Sequence, residues 1–144
     1  LIGLFFGMRY RIDSDGDVPG SINNLMNHAA DAADDKSRCI SSITQKKGEL
    51  SESEKDIIRK TGMVWGCDVC ALACPVTKTA MKNGTLETDI PYFTEGRLGT
   101  VDEGMISSMS DEEYERYSFS WRKREVMIRN IRIASGTDSE GENV

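Results

Sequence analysis

The apolar residues of the last third of the chain recur at helical spacing. A stripe of four side chains falls on one side of a helix drawn over residues 121–135, and charged residues occupy the other side. Such a stripe is typical of a helix that packs one face against a core. The pattern therefore predicts a helix over 121–135 whose buried stripe consists of Val126, Met127, Ile131 and Ala134.

Two further helices are predicted by capping boxes, in which a serine begins the helix and a glutamate three positions later bonds back to it. Ser51 and Glu54 form the first, and Ser110 and Glu113 form the second. The first helix is expected to run to about residue 60 and to end at Gly62, because glycine readily adopts the left-handed conformation that terminates helices. The second is expected to run towards residue 117.

The remaining segments carry weaker signals. Residues 1–10 are apolar and aromatic and favour a strand, and residues 22–33 favour a short helix. Alternating Asp13, Asp15 and Asp17 suggest a calcium loop, but Gly16 stands at the wrong loop position and Asn24 replaces the final glutamate. Residues 83–109 are rich in turn-forming residues, and the tail 136–144 is expected to be disordered. His28, the one histidine, has no ligand-type residues beside it that would complete a site.

Composition limits the class of protein. The chain has 144 residues, of which 38% are hydrophobic and 29% are charged, so one domain with a thin core is possible. It lacks a run of about 18 apolar residues, which excludes a single membrane-spanning helix of the usual kind. The sequence predicts no membrane partner and a cytoplasmic location. The chain begins with Leu1, which we interpret as a sign of a fragment.

The net charge of −6 argues against general nucleic-acid binding, but the charge is unevenly distributed and leaves one basic segment. Residues 116–132 contain six basic residues and one acidic residue, a local charge of +5. Basic side chains can neutralise phosphates, and aromatic ones can stack on unpaired bases. The alternative is an ordinary solvated helix face with Phe119 and Trp121 in the core.

The four cysteines carry the most specific chemistry. Cys67, Cys70 and Cys74 are spaced C-x2-C-x3-C, Pro75 follows directly, and Cys39 lies 28 residues before Cys67. Runs of this kind ligate iron–sulfur clusters. Tetrahedral zinc, disulfides and unligated structural cysteines are the alternatives.

The proline after the last cysteine adds a complication. In ferredoxins with two clusters, the cysteine before proline ligates the other cluster. By that rule Cys39, Cys67 and Cys70 serve one cluster and Cys74 serves a second, so each cluster lacks ligands. The sequence contains no second cysteine motif that would supply them.

Several motifs, taken in order, resemble epoxyqueuosine reductase. They are the stretch from Arg38 to Gly48, Trp65-Gly66-Cys67-Asp68-Val69-Cys70 with Cys74-Pro75, Ser110-Asp111-Glu112-Glu113-Tyr114, Phe119-Ser120-Trp121-Arg122, and Arg129-Asn130-Ile131. Proteins of this family are cobalamin-dependent iron–sulfur oxidoreductases that reduce epoxyqueuosine to queuosine in the tRNA anticodon loop.

The resemblance implies a fold and a division of the chain. The fold class would be mainly α with irregular loops, a ferredoxin-like half-domain preceding C-terminal helices. The segments would be a divergent loop-rich part (1–35), a [4Fe–4S] cluster-binding part (36–82), a linker (83–109), a helical region (110–135) and the tail.

The resemblance also implies ligands and partners. The metal ligands would be Cys39, Cys67, Cys70 and Cys74, and the residues that contact tRNA would be Arg122, Lys123, Arg124 and Arg129. An electron-donor protein and a missing N-terminal portion, with the cobalamin domain and the first cluster motif, would be further partners. By resemblance the chain is part of an oxidoreductase whose cobalamin-binding catalytic domain is absent from this chain, so cobalamin has no site here. A stand-alone ferredoxin-like carrier, a zinc-stabilised RNA-binding module and a defective gene product remain alternatives.

Overall fold

A small three-stranded sheet joins three distant segments of the described chain. The structure is a computed structural model that describes residues 8–10, 36–85, 91 and 98–138. Its strands are β1 (Met8–Tyr10), β2 (Met63–Trp65) and β3 (Thr100–Val101). They lie in the order β2-β1-β3, and β1 is antiparallel to β2 and parallel to β3. The central strand thus connects the cysteine-bearing half of the chain to its C-terminal half.

The rest of the described chain is mostly helical, which confirms the prediction of a mainly α chain with irregular loops. The ferredoxin-like assignment of residues 36–82 stays a prediction. The α-helices are α1 (Ile40–Thr44), α2 (Glu52–Thr61), α3 (Val69–Ala73), α4 (Pro75–Lys82), α5 (Glu103–Ser108), α6 (Asp111–Tyr114) and α7 (Arg124–Ser135). Two short 3-10 helices occupy Lys36–Arg38 and Ser118–Trp121.

Helix α2 forms as its capping signals predict. The Ser51 hydroxyl accepts a hydrogen bond from the backbone N–H of Glu54, and the Glu54 carboxylate accepts one from the backbone N–H of Ser51. Gly62 ends the helix with a φ of 64°, in the left-handed region that a residue with a Cβ avoids. Lys46 adds an ion pair of 2.9 Å to Glu54, which ties the preceding loop to the helix start.

Helix α7 begins three residues later than its hydrophobic pattern predicts. Arg122 and Lys123 have extended backbones, and the preceding 3-10 helix buries Phe119. The extended residues therefore separate two short structures where the sequence suggests one continuous helix. Of the predicted stripe, Met127 and Ile131 are buried, whereas Val126 and Ala134 are only partly buried.

The core gathers around α7, which packs against α1, α2, α5, β1 and β2. The largest cluster joins the sheet, α5, the 3-10 helix and α7. Its buried members are Val64, Trp65, Val101, Ile106, Met109, Tyr114, Phe119, Met127 and Ile131. A second cluster packs Ile43, Leu50 and Ile58 against Ile133 of α7. One helix therefore closes two separate parts of the core.

Other predictions meet the structure in part. The helix that begins after Ser110 ends at Tyr114 rather than near residue 117, and β3 lies within the segment predicted to be irregular. Asp138 lies against α2, where it pairs with Arg59 at 2.8 Å. Predictions for residues 1–7, 11–35 and 139–144, including the aspartate loop and His28, lie outside the described residues. Among the described residues, no helix is long and apolar enough to cross a membrane.

Candidate metal centre and nucleic-acid interface

The cysteine loop starts where the buried strand β2 ends. Gly66 follows Trp65 with a φ of 62°, so the chain turns in a conformation that suits glycine. Cys67 comes next, and Cys70 lies within α3. Cys74 separates α3 from α4, and Pro75 is the first residue of α4, where its missing N–H costs no hydrogen bond.

Packing of Ile40, the residue after Cys39, brings Cys39 close to this loop. Cys39 precedes α1, and its neighbour Ile40 is buried in a cluster with Met63 and Val69. Cys67 packs, partly buried, against the same cluster. The first cysteine is therefore held beside the second by apolar packing, although 28 residues separate them in the sequence.

The Cys67 thiol is influenced electrostatically by two of the other cysteines. Burial raises the pKa of the Cys67 thiol, and the charges of Cys70, Asp68 and Cys39 raise it further. The backbone N–H of Val69 donates to the sulfur and opposes the rise. Cys39 and Cys70 thus both lie within electrostatic reach of Cys67.

Cys74 has different surroundings. The backbone N–H groups of Thr77 and Val76, at the start of α4, donate to its sulfur and lower the pKa of the thiol. The groups that act on it within the described structure include none of the other three cysteines. The surroundings of Cys74 therefore differ from those of Cys67. The division of the four cysteines between two clusters stays a prediction.

The donor chemistry suits a metal or cluster, but the described residues do not form a finished site. All four cysteines are free thiols, and each is at least partly exposed. Within the described ranges, no three Cys, His, Asp or Glu side chains are placed to hold a metal ion. In an iron–sulfur cube each iron takes its own cysteine sulfur, so the ligands need not converge on one point. The assignment of the four ligands stays a prediction.

The basic segment presents one exposed aromatic residue. Trp121 is 58% exposed, while Phe119, two residues before it, is fully buried. The sequence alternative that places both in the core is therefore wrong for Trp121. Trp65 meets Phe119 and Trp121 edge-to-face, with ring centroids 6.4 and 6.3 Å apart. The guanidinium of Arg122 lies 3.9 Å from the centre of the Trp121 ring.

The residues predicted to contact tRNA differ in their exposure and in the hydrogen bonds that they form within the fold. Lys123 is exposed. Arg124 donates to the carbonyl oxygen of Ile106 at 2.6 Å and to Asp111 at 2.9 Å, so part of its guanidinium is engaged.

Arg129 is half-buried and donates inside the fold, to the side chain of Asn130 and to the carbonyl oxygen of Gly48. Burial lowers the pKa of its guanidinium. The geometry therefore gives Arg129 an internal bonding role that the charge pattern does not predict.

Asn130 links the cysteine-bearing segments, and the hydrophobic pattern does not predict this role. It is fully buried, and its amide nitrogen donates to the carbonyl oxygens of Thr44 and Val64 at 2.7 and 2.9 Å. Thr44 ends α1, which follows Cys39, and Val64 lies in β2, which precedes Cys67. Asn130 therefore fastens together the two segments that carry these cysteines. An asparagine beside a buried stripe is the sequence signal for such a role, because buried polar groups need partners.

Comparison with known proteins gives one weak relative. A curated epoxyqueuosine reductase of Lactococcus garvieae (strain Lg2) is 25% identical over 105 residues. The matched region covers 72% of this chain and 29% of the relative, so the chain corresponds to less than a third of that protein. No family model matches the chain. No solved structure matches it either.

Proposed function

We propose that this chain is the electron-transfer and tRNA-docking part of an oxidoreductase related to epoxyqueuosine reductase. The observation that carries the proposal is the cysteine loop, in which Cys39 and Cys70 act on Cys67 while Cys74 bonds to the start of α4. The similarity to a curated epoxyqueuosine reductase supports it independently. The proposed substrate of the complete enzyme is epoxyqueuosine in tRNA, and the proposed product is queuosine.

The three associated thiols would serve one [4Fe–4S] cluster. The charges of Cys39 and Cys70 act on Cys67, and the Ile40 cluster brings Cys39 and Cys67 together. Cys74, at the start of α4, would serve a second cluster. Two such clusters need twice as many thiolates as this sequence has, so the others must come from another polypeptide portion. When bound, the clusters would supply one-electron transfer.

The chain's own contribution to electron transfer is to hold these sulfurs beside buried apolar residues. Burial of Met63, Trp65 and Val69 beside the loop lowers the local dielectric constant. Cluster potential responds to such burial and to hydrogen bonds at sulfur. The N–H groups of Val69, Val76 and Thr77 are the described donors to these thiols.

Reconstitution of the full chain with ferrous iron and sulfide under anaerobic conditions tests the cysteine division. We expect bound iron and acid-labile sulfide that are lost in Cys39→Ser, Cys67→Ser and Cys70→Ser but kept in Cys74→Ser. An added small thiol can supply the missing fourth ligand. Loss of the cluster in Cys74→Ser as well would favour the stand-alone ferredoxin. Bound zinc without sulfide would favour the zinc-stabilised RNA-binding module.

For tRNA docking, we propose that Arg122, Lys123 and Arg124 meet the phosphate backbone. Lys123 is exposed, and Arg122 lies beside it on the exposed tryptophan. Because Arg129 bonds within the fold, the proposal does not rest on it. Replacing the three residues by glutamate should weaken tRNA binding and flatten its dependence on salt. Unchanged affinity and an unchanged salt slope in this triple variant would refute the docking proposal.

A further inference from the structure

The exposed Trp121 differs from every aromatic residue around it. Phe119, Trp65 and Tyr114 are buried, with exposures of 0, 6 and 6%, whereas Trp121 is 58% exposed. Exposing an indole sacrifices the apolar burial that its neighbours obtain. The same residue is nevertheless held in place, because its ring meets Trp65 edge-to-face at 6.3 Å. An exposed but well-seated indole is a flat surface available to a ligand.

Arg122 covers one face of this indole and presents its own guanidinium plane beyond it. Its guanidinium lies 3.9 Å from the Trp121 ring centre, which is stacking distance. Its Nε atom is sheltered from solvent and has no hydrogen-bond partner in the described structure. Arg124 and Arg132 pair with carboxylates, but Arg122 forms no ion pair within the described residues. A stacking ligand therefore need not displace an existing ion pair at Arg122.

The charge around the pair favours a nucleic acid over an apolar ligand. Arg122, Lys123 and Arg124 follow Trp121 directly, and Glu125 is the first acidic residue after them. Unpaired bases stack on aromatic rings and on arginine guanidinium planes, and the phosphates beside them are attracted to nearby cations. A flat aromatic surface with adjacent positive charge matches this combination.

We propose that Trp121 and Arg122 form a stacking site for one unpaired nucleobase of a single-stranded RNA loop. This inference rests on the proposed tRNA docking and adds to it the position and chemistry of one contact. It separates two roles that the basic segment combines. Lys123 and Arg124 would attract phosphates. Trp121 and the guanidinium plane of Arg122 would hold a base, and the charge of Arg122 would attract the phosphate beside that base.

A fluorescently labelled RNA hairpin with a seven-nucleotide loop is the probe, and the full chain is titrated into it while fluorescence anisotropy is followed. We expect Trp121→Ala to weaken binding about 5- to 150-fold, the range of a lost base–aromatic stack, and to leave the salt slope unchanged. Trp121→Phe should weaken binding less. Arg122→Lys, which keeps the charge and loses the plane, should also weaken binding.

Hairpins with single abasic positions in the loop sharpen the test. If a base stacks on Trp121, removing that base should weaken wild-type binding and leave Trp121→Ala binding nearly unchanged. Met81→Ala, which trims another exposed apolar side chain, on α4, is the matched control. Wild-type binding with no effect of Trp121→Ala would overturn the stacking site and leave the docking proposal standing. If the wild-type chain does not bind the hairpin, both are overturned.

Discussion

Arg129 donates two hydrogen bonds to the side-chain oxygen of Asn130, the next residue of α7, at 3.1 and 2.8 Å. This contact fixes the orientation of the Asn130 amide. The nitrogen then points at the carbonyl oxygens of Thr44 and Val64. A charged residue at the edge of the core thus sets the direction of a buried side chain, and that side chain links the segments that carry Cys39 and Cys67.

Asn130→Leu should therefore destabilise the fold strongly. Two buried carbonyl oxygens would lose their donor, and each unsatisfied group costs about 1–3 kcal/mol, so we expect a loss of about 2–6 kcal/mol. Urea unfolding followed by circular dichroism measures it. Ile131→Val, a small truncation at the next buried position, provides a control at about 1 kcal/mol. An Asn130→Leu variant as stable as the wild type would contradict the linking role.

Substitution of Arg129 should lower the stability of the fold, whereas substitution of Lys123 should lower the affinity for RNA. Arg129→Ala removes the donors to Asn130 and Gly48, so we expect a loss of about 1–3 kcal/mol in the free energy of unfolding. Lys123→Ala, on an exposed residue, should change stability by less than about 0.5 kcal/mol. It should instead reduce the salt slope of hairpin binding by about 1. The reverse assignment of effects would show that the phosphate contact is made by Arg129.

Truncation of Phe119 should destabilise the fold much more than truncation of Trp121, although the two residues are only two positions apart. Phe119 is fully buried and stacks on Tyr117 with centroids 5.1 Å apart, so Phe119→Ala should cost about 3–5 kcal/mol. Trp121→Ala should cost less than about 1 kcal/mol. Thermal and urea unfolding of both variants test this difference. A large loss in Trp121→Ala would mean that the indole is held for packing.

The stability of the fold should fall in acid through Glu103 and Glu54. Arg132 donates to Glu103 at 2.6 Å and lowers the pKa of that carboxyl. For Glu54, burial raises the pKa, but hydrogen bonds from Lys46 and Ser51 outweigh it and lower the pKa. Both folded pKa values lie below the ordinary 4.5, so this stabilisation is full above that pH. It is lost as the pH falls through the folded values.

Urea unfolding from about pH 7 to about pH 3 checks the acid dependence. Glu103→Gln and Glu54→Gln should be less stable than the wild type near neutral pH, and the differences should shrink in acid. Glu112→Gln, at an exposed position of α6, is the matched control and should follow the wild-type curve. Differences that stay constant over the whole pH range would exclude ionisation as their cause.

Local signals in the sequence predict local structure well here. The Ser51–Glu54 box and Gly62 define α2, and Pro75 begins α4, because each acts through atoms only a few residues apart. The spacing of Cys67, Cys70 and Cys74 likewise predicts one compact loop.

Contacts between distant segments could not be predicted in this way. The approach of Cys39 to Cys67 depends on Ile40 packing with Met63, and the position of Asn130 depends on Thr44, 86 residues away in sequence. The hydrophobic pattern of the sequence also did not predict the exposure of Trp121. Phe119 occupies the buried site, and the extended residues after it end the 3-10 helix with the indole outside.

The central place of α7 has a consequence for synthesis of the protein. The helices and strand that position Cys39 and Cys67 are translated well before the helix that fastens them. Roughly 60 residues separate the end of β2 from the start of α7, which is about 3–12 s of elongation at about 5–20 residues per second. The Asn130 contact that links the Cys39 and Cys67 segments can therefore form only some seconds after both segments have been synthesised.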